Sequence, residues 1–302
     1  MLVSLIAAVL AALCYGVASV MQAVAVREAS NRSRAQASEG GMDASLVPRM
    51  LHQWRFVVSM FIDLLGFIAQ LVALRRLPLF AVQAMVAANL AVIAVLATVV
   101  IGATLSLREW LAVGGVVAGV GLLGSSAGAE GATTAGGAFK IALIIATAAL
   151  GVAGMIAARV LRDPARTLVL GMVAGFGFGA VGIAARVLNG FAPLTLLRDP
   201  AAYAVAAAGI VSFVFYATAL EGGSVTVATS AVVLAETLPP ALVGVLCLGD
   251  TTRPGLTPVA AAGFLLAVAS AVTLARFGEA ENPHEHPPGH AEPGNLPRQG
   301  LA

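Results

Sequence analysis

Apolar residues run along this chain in nine long blocks, each closed off by a short polar or glycine-containing stretch. The blocks are Leu2–Val26, Trp54–Leu74, Leu79–Ile101, Trp110–Ala127, Phe139–Val160, Leu168–Leu188, Ala202–Leu220, Val225–Leu248 and Leu256–Ala275. A helix of about 20 mostly apolar residues crosses the hydrocarbon core of a bilayer. An open strand would leave its backbone N–H and C=O groups unpaired in lipid, so helices are predicted throughout. The pattern predicts an all-α, polytopic membrane protein of about nine transmembrane helices.

The segments between blocks set the organisation. Arg27–Gln53 is too hydrophilic to hide another span and leaves room for a short interfacial helix. A Gly-, Ala- and Thr-rich linker, Ser125–Gly137, separates two halves. Residues 1–128 form an N-terminal half with four spans, and residues 138–277 a C-terminal half with five. The tail, 278–302, is rich in Pro, Gly, His and Glu, cannot bury a core and is predicted to be disordered. The first block is predicted to remain as a span, because Met1-Leu2-Val3-Ser4 lacks the positive charge that opens a cleaved signal peptide.

Composition agrees with the pattern. The 302 residues are 59% hydrophobic and 11% charged, against about 45–50% and about 25% in soluble domains. A net charge of +2 gives no reason to expect a nucleic-acid partner; the surrounding partner is membrane lipid. Cationic side chains favour one side. With the N-terminus outside, Arg27, Arg32, Arg34, Arg49, Arg55, Arg108, Arg159, Arg162, Arg166, Arg276 and Arg298 fall inside, and Arg75, Arg76, Lys140, Arg186, Arg198 and Arg253 fall outside. The expected placement is the cytoplasmic membrane, with the N-terminus outside and the C-terminus cytoplasmic. Cys14 and Cys247 both lie in apolar runs and are expected to be small core residues.

The two halves look related. A shift of 146 residues lays Gln70 on Tyr216 and Gln83 on Thr229, and brings Asn89 within one position of Glu236. Ala73-Leu74 and Ala219-Leu220 each end a block before a polar break and a long block. Helices two to four map onto seven to nine; that shift of five helices reverses direction in the membrane, so the repeats are inverted. Inverted repeats are a mark of secondary transporters, with the substrate site at the repeat interface.

These paired halves, the segment Phe67–Leu74 with its long following helix, and the segment Tyr216–Leu220 followed by Ser224–Ala228 make the chain resemble the drug/metabolite transporter superfamily, the EamA-like fold. The resemblance covers residues 1–277. It implies a helix that approaches the membrane centre and breaks at proline, a role that falls to Pro239-Pro240. The nine spans, outside N-terminus and long first cytoplasmic loop are most similar to the NIPA-type magnesium transporters. That group carries an acidic residue and then an amide on its second helix. Here Gln70 holds the amide position, Phe67 stands at the acidic one, and Asp63 is the nearest acid, one turn earlier.

Candidate chemistry centres on Asp63 and Glu236, each near the middle of its block. A charge at the bilayer centre costs about 2.5–3.5 kcal/mol on insertion scales, so both are expected to face the interior. Ser59, Asp63, Gly66 and Gln70 share one helical face, and Thr229, Val233, Glu236 and Pro240 share another. Each carboxyl reads as a cation ligand, proton carrier or substrate anchor, or as a protonated group bonded to a neighbouring helix. Pro239 and Pro240 remove two N–H groups, which frees the carbonyls of Ala235 and Glu236. Gln22, Gln70, Gln83, Asn89 and Tyr216 are neutral polar groups at membrane depth; Gln70, Asn89 and Tyr216 are the candidate substrate-binding ones. His284, His286 and His290 are candidate metal ligands in the tail, loosely spaced.

Other features point to packing or to nothing. Gly177–Gly182 fits GxGxxG but lies inside an apolar block, away from the strand and helix N-terminus a dinucleotide needs. Gly171, Gly175 and Gly179 have the spacing of close helix packing, which permits a homodimer without requiring one. No HExxH and no nucleophile–base constellation occurs, so no enzymatic activity and no cofactor are expected. The expected function is a secondary transporter of a small solute. The alternatives are a NIPA-like divalent-cation transporter and a non-transporting scaffold of a cell-envelope complex.

Overall fold

A computed structural model of the chain describes residues 2–36, 54–100, 102, 104–222 and 225–277. They form eleven helices: α1 (Leu2–Gln36), α2 (Trp54–Leu74), α3 (Leu79–Ala87), α4 (Asn89–Val100), α5 (Leu107–Ser126), α6 (Gly137–Val160), α7 (Ala165–Arg186), α8 (Pro193–Arg198), α9 (Pro200–Gly222), α10 (Val225–Leu246) and α11 (Thr257–Phe277). Among the described residues, nine segments are long and apolar enough to span a bilayer, with α3 and α4 making one of them together. The chain is an all-α, multi-pass membrane protein. The tail with His284, His286 and His290 lies outside the described residues.

Boundaries differ from expectation where local chemistry overrides the apolar pattern. Helix α1 continues past its apolar block to Gln36. Helix α5 starts earlier than Trp110, because Ser106 and Glu109 close a capping box: the Glu109 N–H donates to Ser106 Oγ at 3.4 Å, and the Ser106 N–H to Glu109 Oε2 at 2.5 Å. The third block is two helices, interrupted at Ala88. The expected break at Pro239 and Pro240 is absent: α10 runs unbroken through both. Cys14 is buried as expected, whereas Cys247 is exposed just past the end of α10.

One helix pair dominates the N-terminal half and two the C-terminal half. Helix α1 packs on α2, and α7 packs on α9 and α10. Helix α3 meets α10 across the halves, α5 lies along α11, and α6 covers α7 and α9. Glycines set the closeness of α7. A Cβ at Gly171 would stand 2.8 Å from the Ala228 carbonyl, at Gly175 2.5 Å from that of Val232, and at Gly179 2.7 Å from Pro240 Cγ. The stripe is packing surface, as its spacing predicts. On the other side, Gly177 makes room for Ser212 of α9.

The α2–α3 turn, the α5–α6 linker and the α7–α8 and α10–α11 loops gather at one end of the bundle, here called the linker end. Every residue of α3, which starts there, is buried; in α4, which continues to the far end, only Ala91 is.

Candidate functional site

The polar residues of the spans are joined from α1 outward. Tyr15 and Gln22 are two helical turns apart on α1, and Asp63 and Gln70 are two turns apart on α2. The antiparallel helices therefore meet at two polar rungs. Gln22 Nε2 donates to Asp63 Oδ2 at 2.7 Å, and the Tyr15 hydroxyl donates to Gln70 Oε1 at 2.7 Å. Gly66 allows the approach: a Cβ there would lie 3.0 Å from Cys14 Cβ and 3.2 Å from the Tyr15 ring.

The upper rung continues across the molecule. Gln70 Nε2 donates to Gln83 Oε1 on α3 at 3.3 Å, and Gln83 Nε2 donates to the backbone carbonyl of Glu236 on α10 at 3.3 Å. Each amide accepts with its oxygen and donates with its nitrogen, so the chain runs in one direction from Tyr15 to Glu236. The last acceptor is the carbonyl that Pro240 deprives of its helical N–H. Gln83 satisfies it. Gly182 of α7 gives the Gln83 amide its space, since a Cβ there would fall 2.6 Å from Nε2. Gln70 and Gln83 are both buried.

The Glu236 carboxyl is partly buried and makes no hydrogen bond or ion pair among the described residues. Asp63 is also partly buried, and both carboxyls lie within electrostatic reach of Tyr15. Asn89 begins α4 at the interruption of the third span. Its backbone carbonyl stands 3.1 Å from where a Cβ of Gly16, the neighbour of Tyr15, would be. Gln70 thus bonds Tyr15, the Asp63 and Glu236 carboxyls lie within its electrostatic reach, and the Asn89 backbone passes beside Gly16. Tyr216 is elsewhere: its hydroxyl pairs with Thr229 Oγ1 at 3.1 Å, towards the far end.

That last pair has a counterpart 146 residues earlier. Gln70 and Gln83 hydrogen-bond to each other, and the residues 146 positions on, Tyr216 and Thr229, do the same. A second correspondence involves α1 and α7. Gly16 faces the Asn89 carbonyl and Val92, while Gly179 faces the Glu236 carbonyl and Pro240.

The linker end holds groups that sequence reasoning took for loop charges. Arg186 is fully buried at the end of α7, with Asp250 fully buried beside it (both side chains 0% exposed). Arg186 Nη2 donates to Asp250 Oδ1 at 3.1 Å and to the Gly131 carbonyl at 3.4 Å. Its Nη1 donates to the carbonyls of Leu74 and Leu77, the latter at 2.6 Å, and Nε to that of Ala132 at 3.4 Å. All five guanidinium N–H groups are thereby used. Asp250 also accepts from the backbone N–H of Gly131 at 2.7 Å and, at 2.5 Å, from that of Leu79, the first residue of α3.

A second buried pair, Lys140 with Asp199 at 2.9 Å, ties α6 to the α8–α9 junction. Burial pushes the Asp199 carboxyl up, but the Lys140 hydrogen bond, the N–H groups of Asn189 and Ala201 and the Lys140 charge outweigh it. The carboxyl is held below its usual range. Arg75 is half-buried, donates to the Leu188 carbonyl at 2.8 Å and lies 4.8 Å from the centre of the Phe191 ring.

No family model matches the chain, and neither a curated protein nor a solved structure matches it.

Proposed function

We propose that this protein is a secondary transporter that moves a small solute across the cytoplasmic membrane, built from two inverted halves of the drug/metabolite-transporter type. The solute site is the space around Tyr15, Gln70, Gln83, Asn89 and Glu236. One observation carries the reading: a carboxyl at mid-span, Glu236, has no protein partner among the described residues and sits where a hydrogen-bond chain from the other half ends. A mid-membrane carboxyl kept off the lipid and left unpaired has a cost that packing alone does not offset. The repeated bonds, Gln70 with Gln83 and Tyr216 with Thr229, support the two-half organisation. A site at the interface of inverted repeats is where such carriers bind their cargo.

The orientation has the linker end outside. Lys140 and Arg186 are buried in ion pairs, which removes them from the outer loop charge and leaves Arg75, Arg76, Arg198 and Arg253 there. The inner excess is thereby greater than the raw residue positions suggest.

The test is a thermal-stability screen of the purified chain with organic cations, amino acids, nucleosides, lipid precursors and divalent cations, repeated on Glu236→Gln. A ligand of the folded state adds RT ln(1 + [L]/Kd), about 2.7 kcal/mol at a hundredfold excess over Kd. The expected result is a shift by one class that Glu236→Gln abolishes, with flux of that ligand in proteoliposomes lost as well. A shift by magnesium would select the divalent-cation alternative. Parental flux in Glu236→Gln would overturn the assignment of the site.

A further inference from the structure

Helices α3 and α10 carry Gln83 and Glu236, and both end at the Arg186–Asp250 pair. Arg186 belongs to α7, yet its five bonds go to the α2–α3 turn, the linker and the α10–α11 loop. Asp250 belongs to the α10–α11 loop, yet it holds the first N–H of α3. Each of these bonds joins segments that would have to part for solute to leave at this end, and none lies within a single segment. Gly249, with φ of +75°, turns the chain off α10 and aims Asp250 inward. Gly244 leaves the space that the carboxylate fills, since a Cβ there would meet Asp250 Oδ2 at 2.6 Å and Leu79 Cβ at 2.9 Å.

Just outside the pair is an open cleft of about 590 Å³. Its lining includes Arg76, Glu130 and Thr251, the sequence neighbours of Leu77, Gly131 and Asp250. Inward of the pair along α3, Leu79 and Val82 are buried in an apolar cluster that Val187 and Leu248 join from the level of the pair. Along α3 the order is therefore the ion pair at Leu79, apolar Val82 and then Gln83 of the amide chain, with the cleft beside the pair.

We infer that Arg186 and Asp250 form a releasable gate at the linker end, with the cleft as its vestibule, and that the structure is the state closed at this end. The inference rests on the transporter reading. A buried ion pair suits the role because it holds firmly only when every donor and acceptor is matched, and loses its advantage once one partner is displaced. The gate then has two discrete arrangements whose populations a bound solute can shift.

Impermeant-maleimide labelling of the full chain in oriented vesicles tests this. The background is Cys14→Ala with Cys247→Ala. The reporter is Val82→Cys, beneath the gate, and the control is Val173→Cys, buried in the core between α7, α9 and α10. The gate is disturbed in two ways, by Asp250→Asn and by Gly244→Ala, which displaces the carboxylate without removing a charge. The expected result is that Val82→Cys labels from the linker end about tenfold faster or more in both variants, with Val173→Cys unchanged. If Val82→Cys labelling stays at the parental rate in both variants, or rises only together with Val173→Cys, the pair is a static brace and the inference is overturned. The assay needs no ligand, so its failure is separate from that of the Glu236→Gln flux test.

Discussion

Gln83 of the N-terminal half donates its amide N–H to the carbonyl of Glu236 in the C-terminal half, the one carbonyl that Pro240 leaves without a helical donor. A side chain of α3 thus satisfies the backbone of α10. The bond holds α3 and α10 in register beside the candidate site.

Replacing Gln83 by Leu removes that donor and the acceptor for Gln70 together. Each buried group left without a partner costs about 1–3 kcal/mol, so Gln83→Leu, which orphans two, is expected to lower stability by at least that amount in detergent unfolding. Gln83→Leu combined with Pro240→Ala should recover part of the loss, because the α10 backbone regains its own N–H. No recovery in the double variant would separate the two effects.

The buried Arg186–Asp250 pair predicts strong coupling. Removing one partner of such a pair costs about 3–5 kcal/mol, because the other charge stays buried and uncompensated. Arg186→Met and Asp250→Asn are each expected to fall in that range. The double variant should lose less than the sum of the two, which a double-mutant cycle measures.

Acid should loosen the tie between α6 and the α8–α9 junction. Asp199 is held below the usual carboxylate range by Lys140 and two backbone N–H groups. A depressed folded-state value stabilises the protein above the unfolded value of about 3.9 and is lost as pH falls through the folded one. Parental stability should therefore drop below about pH 4 more steeply than that of Asp199→Asn, which lacks the titrating group. Parallel pH profiles for the two proteins would count against the contribution of this pair.

The glycines are predicted to be unequal. Gly175→Ala would bring a Cβ to 2.5 Å from the Val232 carbonyl, a backbone atom that cannot swing aside. Overpacking of this kind costs about 1–3 kcal/mol. Gly114→Ala and Gly121→Ala meet nothing within 4 Å and should be close to neutral or slightly stabilising in the same unfolding assay.

Much of the fold was legible because lipid imposes length and apolarity on every span, and both can be read without tertiary information. The faces of α2 and α10 were legible too, since polar groups in an apolar helix have to share a side. The ion pairs were not. Arg186 and Asp250 are 64 residues apart, and Lys140 and Asp199 are 59 apart; each charge stands at the end of an apolar block, where a snorkelling residue would also stand. A cation and an anion flanking different spans at the same end of the bundle is the one signal that could have suggested them. Tyr15 was missed because nothing around it interrupts the apolar run. The interruption at Ala88 has neither glycine nor proline to announce it, whereas Pro239 and Pro240 announce one that does not occur. Ser106 and Glu109 did carry a readable start for α5.

Helix α7 has 61% of its span buried, more than any other, with α10 pressed to its glycines on one side and α9 on the other. Its exposed surface is a narrow strip through Leu168, Met172 and Phe176, one turn apart. In a saturation library scored for survival of the folded protein, α7 should tolerate the fewest alternatives per position, and lipid-facing α6, with 17% of its span buried, the most. Sequence drift in this protein is therefore funnelled to its rim, and its axis is left nearly fixed.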